Sequence, residues 1–412
     1  MPKLLLISPF FPPSAASGSF RMLGFARHLP KYNWSVSVVA CGPLPWESED
    51  QELLGSVPPQ TQVQYVEFPL QRAHSFWPLV LQKLRVVRGM YYWNRPALRA
   101  CRKAIEQERP DAVMTSGPPH SVHLIGQKLQ RQYGLPWVAD FRDPWCSWGQ
   151  EQHYGRKWGG LGKIGERKVF QRADVLIANT PIMADVFREV FPSSAGRIVA
   201  IPNGYDPVEI EELPAKDREN NFLTLLYAGV IYVGRDPRPV VEALRMISEE
   251  QTLNGKQLVL RLIGKCHDAQ LQHDFQSRGL SRWVKMEDQV SHREATQAAR
   301  SADLLVLLDS PGRRIGVPAK LYEYLGARRP ILALAEQGSD TDLMQQSGLP
   351  YRVVHDWNAK ALRDAIVGLS REAPSIASEP AGEQPGLFTR EAAAKKLAHV
   401  LTSKICGGSR AV

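Results

Sequence analysis

Residues 209–221 read EIEELPAKDRENN, a polar and charged stretch with little apolar side chain to commit to a core. Such a stretch marks a boundary between domains. Before it, short apolar runs at 3–8, 35–40, 112–115, 137–140 and 174–178 lie close to helical patterns such as 20–29. The same rhythm restarts after it, with runs at 223–228, 258–264, 303–308, 331–335 and 351–354. Strand and helix patterns in alternation predict parallel α/β layers. Two consecutive open units of similar size predict two Rossmann-like domains facing each other across a cleft. Their bounds are residues 1–208, a linker at 209–221, and residues 222–388. Residues 371–386 are rich in Pro, Ser and Glu and read as irregular. Residues 389–404 read as a last helix, capped by Thr389 and followed by a tail to 412. Ligands in open α/β sheets bind beyond the carboxyl ends of the strands, which directs attention to the loops there.

A chain of 412 residues is ample for two cores, and 43% apolar with 23% charged residues is ordinary for a soluble protein. The net charge of +9 favours an anionic partner: nucleotide phosphates, nucleic acid or an acidic membrane surface. Five scattered cysteines with no CxxC pair indicate neither a zinc site nor a disulfide framework, and a reducing cytoplasm fits them. The run 4–7 is too short for a signal-peptide core, and no run approaches the roughly 18 apolar residues of a membrane span. The chain is expected to be soluble or peripheral.

Four loops after strands carry unusual chemistry. Residues 9–19, PFFPPSAASGS, run into a helix bearing Arg21, and their amides suit an anion or a sugar. They are not a G-x-G-x-x-G dinucleotide fingerprint. Residues 115–120, TSGPPH, feed a helix on which His120 and His123 share a face, either as ligand contacts or as satisfied polar residues. No metal-binding pattern accompanies them. Residues 140–145, DFRDPW, offer two carboxylates and an arginine, for caps, an internal ion pair or acid–base work. In residues 227–238, YAGVIYVGRDPR, Asp236 reads as an N-cap and Pro237 as the first helical residue. Arg235 and Arg238 then crowd the positive end of that helix.

Residues 316–325, GVPAKLYEYL, repeat the anomaly. Pro318 reads as a helix start, Gly316 permits close backbone approach, and Lys320 sits in the first turn, where a cation is unfavourable. Glu323 lies one turn on. Two readings are open: an amphipathic helix with an i,i+3 ion pair, or a nucleotide site in which a bound anion reverses the electrostatics. Two helix starts with misplaced cations in one domain point to a shared diphosphate.

Eight segments occur in order between residue 3 and about residue 370: FPPSAASGSFRMLGFARHLP, SGPPHSVHLIG, LPWVADFRDPW, RADVLIANT, IPNGYDP, LYAGVIYVGRDPRPVVEAL, SADLLVLL and GVPAKLYEYLGARRPILAL. Together they resemble the nucleotide-sugar-dependent glycosyltransferases of family 4. The subgroup resembled is the bacterial one of cell-surface polysaccharide assembly, with its P-x-K-x-x-E-Y-L motif. The resemblance implies the GT-B fold, in which a C-terminal helix can cross back to the N-terminal domain. It implies a retaining hexosyl- or N-acetylhexosaminyltransferase of, for example, lipopolysaccharide assembly. The donor would be a nucleotide-diphosphate sugar, the acceptor a lipid-linked saccharide, and neither a metal nor another cofactor would be needed. His120, Arg235 and Lys320 take the catalytic positions, with His123 competing for the histidine role. Gly18, Arg238, Gly316, Val317 and Glu323 match donor-binding positions, and Asp143 the acceptor side. Val230 stands where the family commonly has an arginine, so either Arg235 or Arg238 takes over. Ile315 replaces the first glutamate of the family's E-x7-E pair.

Residues 71–103 hold eight basic and no acidic residues, interleaved with Phe76, Trp77, Tyr91, Tyr92 and Trp93. This composition suits an anionic membrane surface near a lipid-linked acceptor, and hence a peripheral place on the inner face of the cytoplasmic membrane. A basic helix face packed on the domain core is the alternative, and no nucleic-acid module is visible. Other functions on the same architecture are a sugar-nucleotide epimerase or hydrolase, and a non-catalytic nucleotide-binding subunit.

Overall fold

The computed structural model describes residues 1–44, 49–68, 78–146, 159–211, 221–232, 234–253, 255–310, 312–376, 386 and 388–406. Of these, 78–91, 159–161, 211, 373–376 and 406 are described as backbone only. The chain forms two compact units, Met1–Gly204 with Arg390–Val412, and Tyr205–Thr389.

The first unit is built on a parallel sheet of β1 (Lys3–Ser8), β2 (Ser35–Cys41), β3 (Gln62–Val66), β4 (Ala112–Gly117), β5 (Trp137–Phe141), β6 (Val175–Ala178) and β7 (Ile198–Ala200). Their spatial order is β3-β2-β1-β4-β5-β6-β7. The helices are α1 (Ser17–His28), α2 (Gln51–Gly55), α3 (Pro78–Glu108), α4 (His123–Tyr133), α5 (Gly159–Arg172) and α6 (Pro181–Val190). Side chains alternate across a strand, so β1 feeds two cores. Leu5 and Ile7 join Trp93 of α3 and Ile125 and Leu129 of α4. Leu4 and Leu6 join Met22 and Phe25 of α1 on the other face. Central strands covered on both faces read as continuous apolar runs, which is why they are legible in the sequence.

The second unit opens with α7 (Pro207–Glu211) and carries β8 (Phe222–Ala228), α8 (Arg238–Glu249), β9 (Gln257–Ile263), α9 (Leu271–Ser277), β10 (Val284–Glu287) and α10 (His292–Ser301). It continues with β11 (Leu304–Leu308), α11 (Ala319–Ala327), β12 (Ile331–Leu334), α12 (Ser339–Ser347), β13 (Tyr351–Val354) and α13 (Ala359–Ile376). The strands are parallel in the order β10-β9-β8-β11-β12-β13. In each sheet the chain steps outward in one direction and then reverses, between β1 and β4 and between β8 and β11. A reversal leaves a crevice beyond the carboxyl ends of the two central strands, the usual ligand position in this architecture.

The last helix, α14 (Arg390–Leu401), returns to the first unit. Ala394, Leu397 and Leu401 are fully buried in the core shared with Leu4, Leu6 and Met22. Trp34 Nε1 donates to Thr402 Oγ1 at 3.2 Å, and Lys31 pairs with Glu391 at 2.9 Å.

Several expectations are corrected. The second unit begins at Tyr205 and α7 occupies 207–211, because Ile210 is buried beside Tyr205 and Leu325; residues 212–220 of the expected linker lie outside the described residues. Residues 371–376 complete α13 instead of being irregular, and 377–385 lie outside the described residues. Helix α11 starts at Ala319 with Pro318 extended before it, and α8 starts at Arg238 with Pro237 before it. Strands β3, β7 and β10 were not expected. They are edge strands, short or polar, and gain their place by pairing with β2, β6 and β9.

Candidate functional site

The second unit gathers cations at its β8/β11 crevice. Tyr227, one residue before the end of β8, is fully buried, and its ring underlies Lys320, whose Nζ stands 3.6 Å from the ring centroid. Lys320 is the second residue of α11, so its stem rises from the positive end of that helix. Its Nζ is buried and has no hydrogen-bond acceptor. Gly229 follows with φ of +146°, and a Cβ there would overlap Lys320 Nζ. Glycine is required at this position on both counts, conformation and space. Arg235 is 9% exposed; its Nη1 reaches the Val230 carbonyl at 3.3 Å while its Nε has no acceptor. Its guanidinium also lies 4.2 Å from the Tyr232 ring centroid. Burial, and then the nearby Arg235, push the Lys320 ammonium well below the usual lysine range. Burial raises the Tyr227 phenol to about 12, so it remains protonated and donates to the Val230 carbonyl at 2.9 Å. The Lys320 amine and the Arg235 guanidinium, each with a buried nitrogen lacking an acceptor, make a place for an anion.

The other predicted residues of this unit separate into those near Lys320 and those away from it. Gly316 and Val317 are buried in the approach to α11, and the Val317 side chain belongs to the core. Arg313 rides over Gly316, its Nη2 2.9 Å from where a Cβ would stand. Glu323 does not share the face of Lys320: it lies 4.0 Å from His292 of α10, which also stands 3.7 Å from Glu209. The residue that stays on the Lys320 face is Tyr324, whose hydroxyl accepts the Ala228 amide at 3.0 Å. Four residues carry a helix about 40° past a full turn and three leave it about 60° short, so Tyr324 and Glu323 leave the Lys320 direction on opposite sides. Arg238 is surrounded by carboxylates, at 3.0 Å from Asp236 and 2.7 Å from both Asp268 and Asp274. Burial works against its charge, but the bonds to these carboxylates raise its pKa. Between the two arginines, Arg235 is the one beside Lys320. Ile315, in place of a glutamate, is buried.

In the first unit, the loops after β1, β4 and β5 meet around Arg142. Its amide and Nε donate to the Gly117 carbonyl at 2.9 and 3.3 Å, and its Nη2 donates to the Pro118 carbonyl. The same guanidinium covers Gly18, where a Cβ would collide with it. His120 is half-buried and stacks on Trp145 with ring centroids 5.4 Å apart; its Nδ1 has no partner. Burial, then His123 and Arg142, lower its pKa well below the ordinary value, so the imidazole is neutral. His123, its competitor, is fully buried, with Nδ1 2.9 Å from Thr115 Oγ1 and its ring 4.5 Å from Phe141. Burial lowers its pKa to about 3. Its Nε2, like His120 Nδ1, has no hydrogen-bond partner. Asp143 is half-buried in the turn after Arg142.

Arg21, on the helix that follows the first loop, is committed to the protein. It binds both oxygens of Asp140 at 2.8 and 3.1 Å and the carbonyls of Ile201 and Pro202 at 2.9 Å. Ser116 donates to the same carboxylate at 2.7 Å. This buried network ties the ends of β4, β5 and β7 to α1, so Asp140 is a structural carboxylate. Part of the basic stretch 71–103 lies outside the described residues: 71–77 entirely, and the side chains of 78–91. Beyond them, Trp93 is fully buried with Nε1 donating to the Val66 carbonyl at 3.1 Å, so it faces the core and no membrane. Tyr92, Arg95 and Arg99 are exposed. Among the described residues, no helix is long and apolar enough to cross a membrane, and no three His, Cys, Asp or Glu side chains could hold a metal ion.

Residues 19–204 match the family described as glycosyl transferase 4-like domain. No curated protein matches the chain in sequence. Among solved structures, sucrose-phosphate synthase from Thermosynechococcus elongatus superposes with a TM-score of 0.67 at 16% identity, covering 99% of this chain and 100% of that one. Anabaena HepE in complex with UDP-glucose gives 0.63 at 15% identity, covering 97% and 99%. WaaG, a glycosyltransferase involved in lipopolysaccharide biosynthesis, gives 0.57 at 15% identity, covering 97% and 95%. At such identities the likeness establishes the fold: two Rossmann-like domains of the GT-B type.

Proposed function

We propose that the chain is a retaining glycosyltransferase that moves a sugar from a nucleotide-diphosphate sugar to a lipid-linked saccharide in surface polysaccharide assembly. The observation that carries this reading is the Lys320 amine. It is buried without an acceptor beside Arg235, at the crevice between β8 and β11. A diphosphate there would supply the missing anion and draw a proton onto the amine. The match of residues 19–204 to glycosyl transferase 4-like domains and the UDP-glucose complex of HepE support the substrate class.

In the reaction, the bond between the anomeric carbon and the leaving phosphate oxygen breaks. The acceptor hydroxyl adds on the same face, and its proton passes to the departing diphosphate. Lys320 and Arg235 stabilise the negative charge that develops on that leaving group, by preorganised electrostatics and without a metal. His120 is assigned to a donor-sugar hydroxyl, because a neutral imidazole both donates and accepts. Gly18 is assigned to the donor side, where it admits the Arg142 guanidinium that covers it; Glu323 is assigned to the ribose hydroxyls, and Asp143 to the acceptor side.

The test is a screen of UDP-, GDP-, ADP- and dTDP-sugars with and without an undecaprenyl-linked saccharide. Transfer that needs the acceptor, with the anomeric configuration retained by NMR, is the expected result. Conversion of the donor without acceptor would make the protein an epimerase or hydrolase instead. Nucleotide binding without turnover of any donor would make it a silent subunit.

A further inference from the structure

Behind Lys320 lie two carboxyls that the proposed reaction does not use. Asp309 follows β11 directly and is 1% exposed; Asp340 is the second residue of α12 and is 4% exposed. Asp309 Oδ1 accepts from Arg313 Nη1 at 3.4 Å, but its Oδ2 has no donor, and neither oxygen of Asp340 has one. The two carboxyls interact with each other, and the other charges acting on Asp340 are Arg313 and Arg235. Lys320 and Tyr227 feel the charge of Asp309. The acid that follows β12, Glu336, is engaged by Arg314 at 3.1 Å and by the Gly312 amide at 2.8 Å.

The contact is locked by backbone. Ser339 donates its amide to the Arg314 carbonyl at 2.8 Å and its hydroxyl to the Ile315 carbonyl at 3.1 Å. The start of α12 is thereby fixed to the loop that leads into α11. Two buried carboxylates in contact, with three oxygens lacking donors, cannot both ionise. Asp309 has an arginine and the field of a lysine. Asp340 feels Arg313, Arg235 and the partial charge of a helix start only through space, with no donor bonded to either oxygen. Burial first, then Asp309, push the Asp340 carboxyl well above the ordinary range.

We propose that Asp309 and Asp340 share a single proton, resident on Asp340, and that Asp309 is the charged member that positions Arg313 over Gly316 as a third cation of the donor site. The part concerning Arg313 rests on the donor-site reading above. The part concerning the proton does not.

An amide copies a protonated carboxyl and cannot copy an ionised one. Titrations of the full chain with UDP, GDP, ADP and dTDP should therefore separate the two positions. With the nucleotide that the wild type binds most tightly, Asp340→Asn should retain affinity within about twofold. Asp309→Asn and Arg313→Gln should each weaken it about tenfold or more. Arg313→Gln, being half-buried, keeps the test usable if Asp309→Asn does not fold. Equal losses at Asp340→Asn and Asp309→Asn, or full affinity in Arg313→Gln, would overturn the positioning role.

Thermal melts against pH test the proton separately. Above the ordinary pKa of an Asp, about 3.9, the folded chain holds a proton that the unfolded chain has released, so this site's contribution falls as pH rises. Asp340→Asn removes that loss. Its Tm should match wild type near pH 4 and exceed it by about 2 °C or more at pH 7. A difference that is flat with pH, or negative at pH 7, would refute the shared proton. If no nucleotide binds the wild type, the donor-site reading and the role of Arg313 fail together, while the melts still decide where the proton resides.

Discussion

Leaving the Lys320 amine buried without an acceptor costs the empty protein on the order of 1–3 kcal/mol, a cost that bound anion would offset. The sign with pH follows. The amine of the empty site gives up its proton below the usual lysine range, and a diphosphate needs it charged. Nucleoside-diphosphate affinity should therefore fall as pH rises toward the ordinary lysine range, and Lys320→Arg should flatten that dependence in titration calorimetry. Gly229→Ala meets both an unfavourable φ and Lys320 Nζ. It should weaken nucleotide binding about tenfold or more and lower stability by roughly 1–3 kcal/mol, measured by calorimetry and melting. Lys320 and Arg235 were legible as cations at helix starts, because that mismatch is local. The ring of Tyr227 beneath Lys320 and the capture of Arg238 by Asp268 and Asp274 were not. Each depends on segments distant in sequence that only the folded sheet brings together.

Among elements, legibility followed burial. Central strands covered on both faces declared themselves as apolar runs, whereas the edge strands β3, β7 and β10 owe their conformation to a neighbour and carry little pattern of their own. The last helix was also legible as a helix over 389–404, and its docking onto α1 places it in the first unit. Gly24 of α1 permits that approach, since a Cβ there would stand 2.9 Å from Arg390 Cβ. Leu397→Asp would bury an unpaired carboxylate in the core shared with Leu4 and Leu6. It should cost about 3 kcal/mol or more. In differential scanning calorimetry the transition of the first unit should move down while that of the second stays in place. A shift confined to the second unit would contradict the docking of α14.

At the scale of the molecule, the net charge of +9 and the basic stretch at 71–103 motivate a proposal that the chain meets an anionic surface. Sedimentation with phosphatidylglycerol-containing vesicles should show binding at low salt that weakens as salt is raised; absence of binding at low salt would remove the membrane from the proposed function. The fold by itself does not fix the reaction, since one architecture hosts many. In the proposed function, what joins fold to chemistry is Lys320 and Arg235 at the β8/β11 reversal. The decisive measurement is the rate of acceptor-dependent sugar transfer by wild type and Lys320→Met, each checked for its Tm. Transfer should fall about 100-fold or more in the variant, as when a preorganised charge-stabilising group is removed. Its Tm should be unchanged or higher at neutral pH, because a buried amine without an acceptor has been replaced by an apolar chain. Transfer at the wild-type rate in a folded Lys320→Met would contradict the assignment of this lysine to the leaving diphosphate.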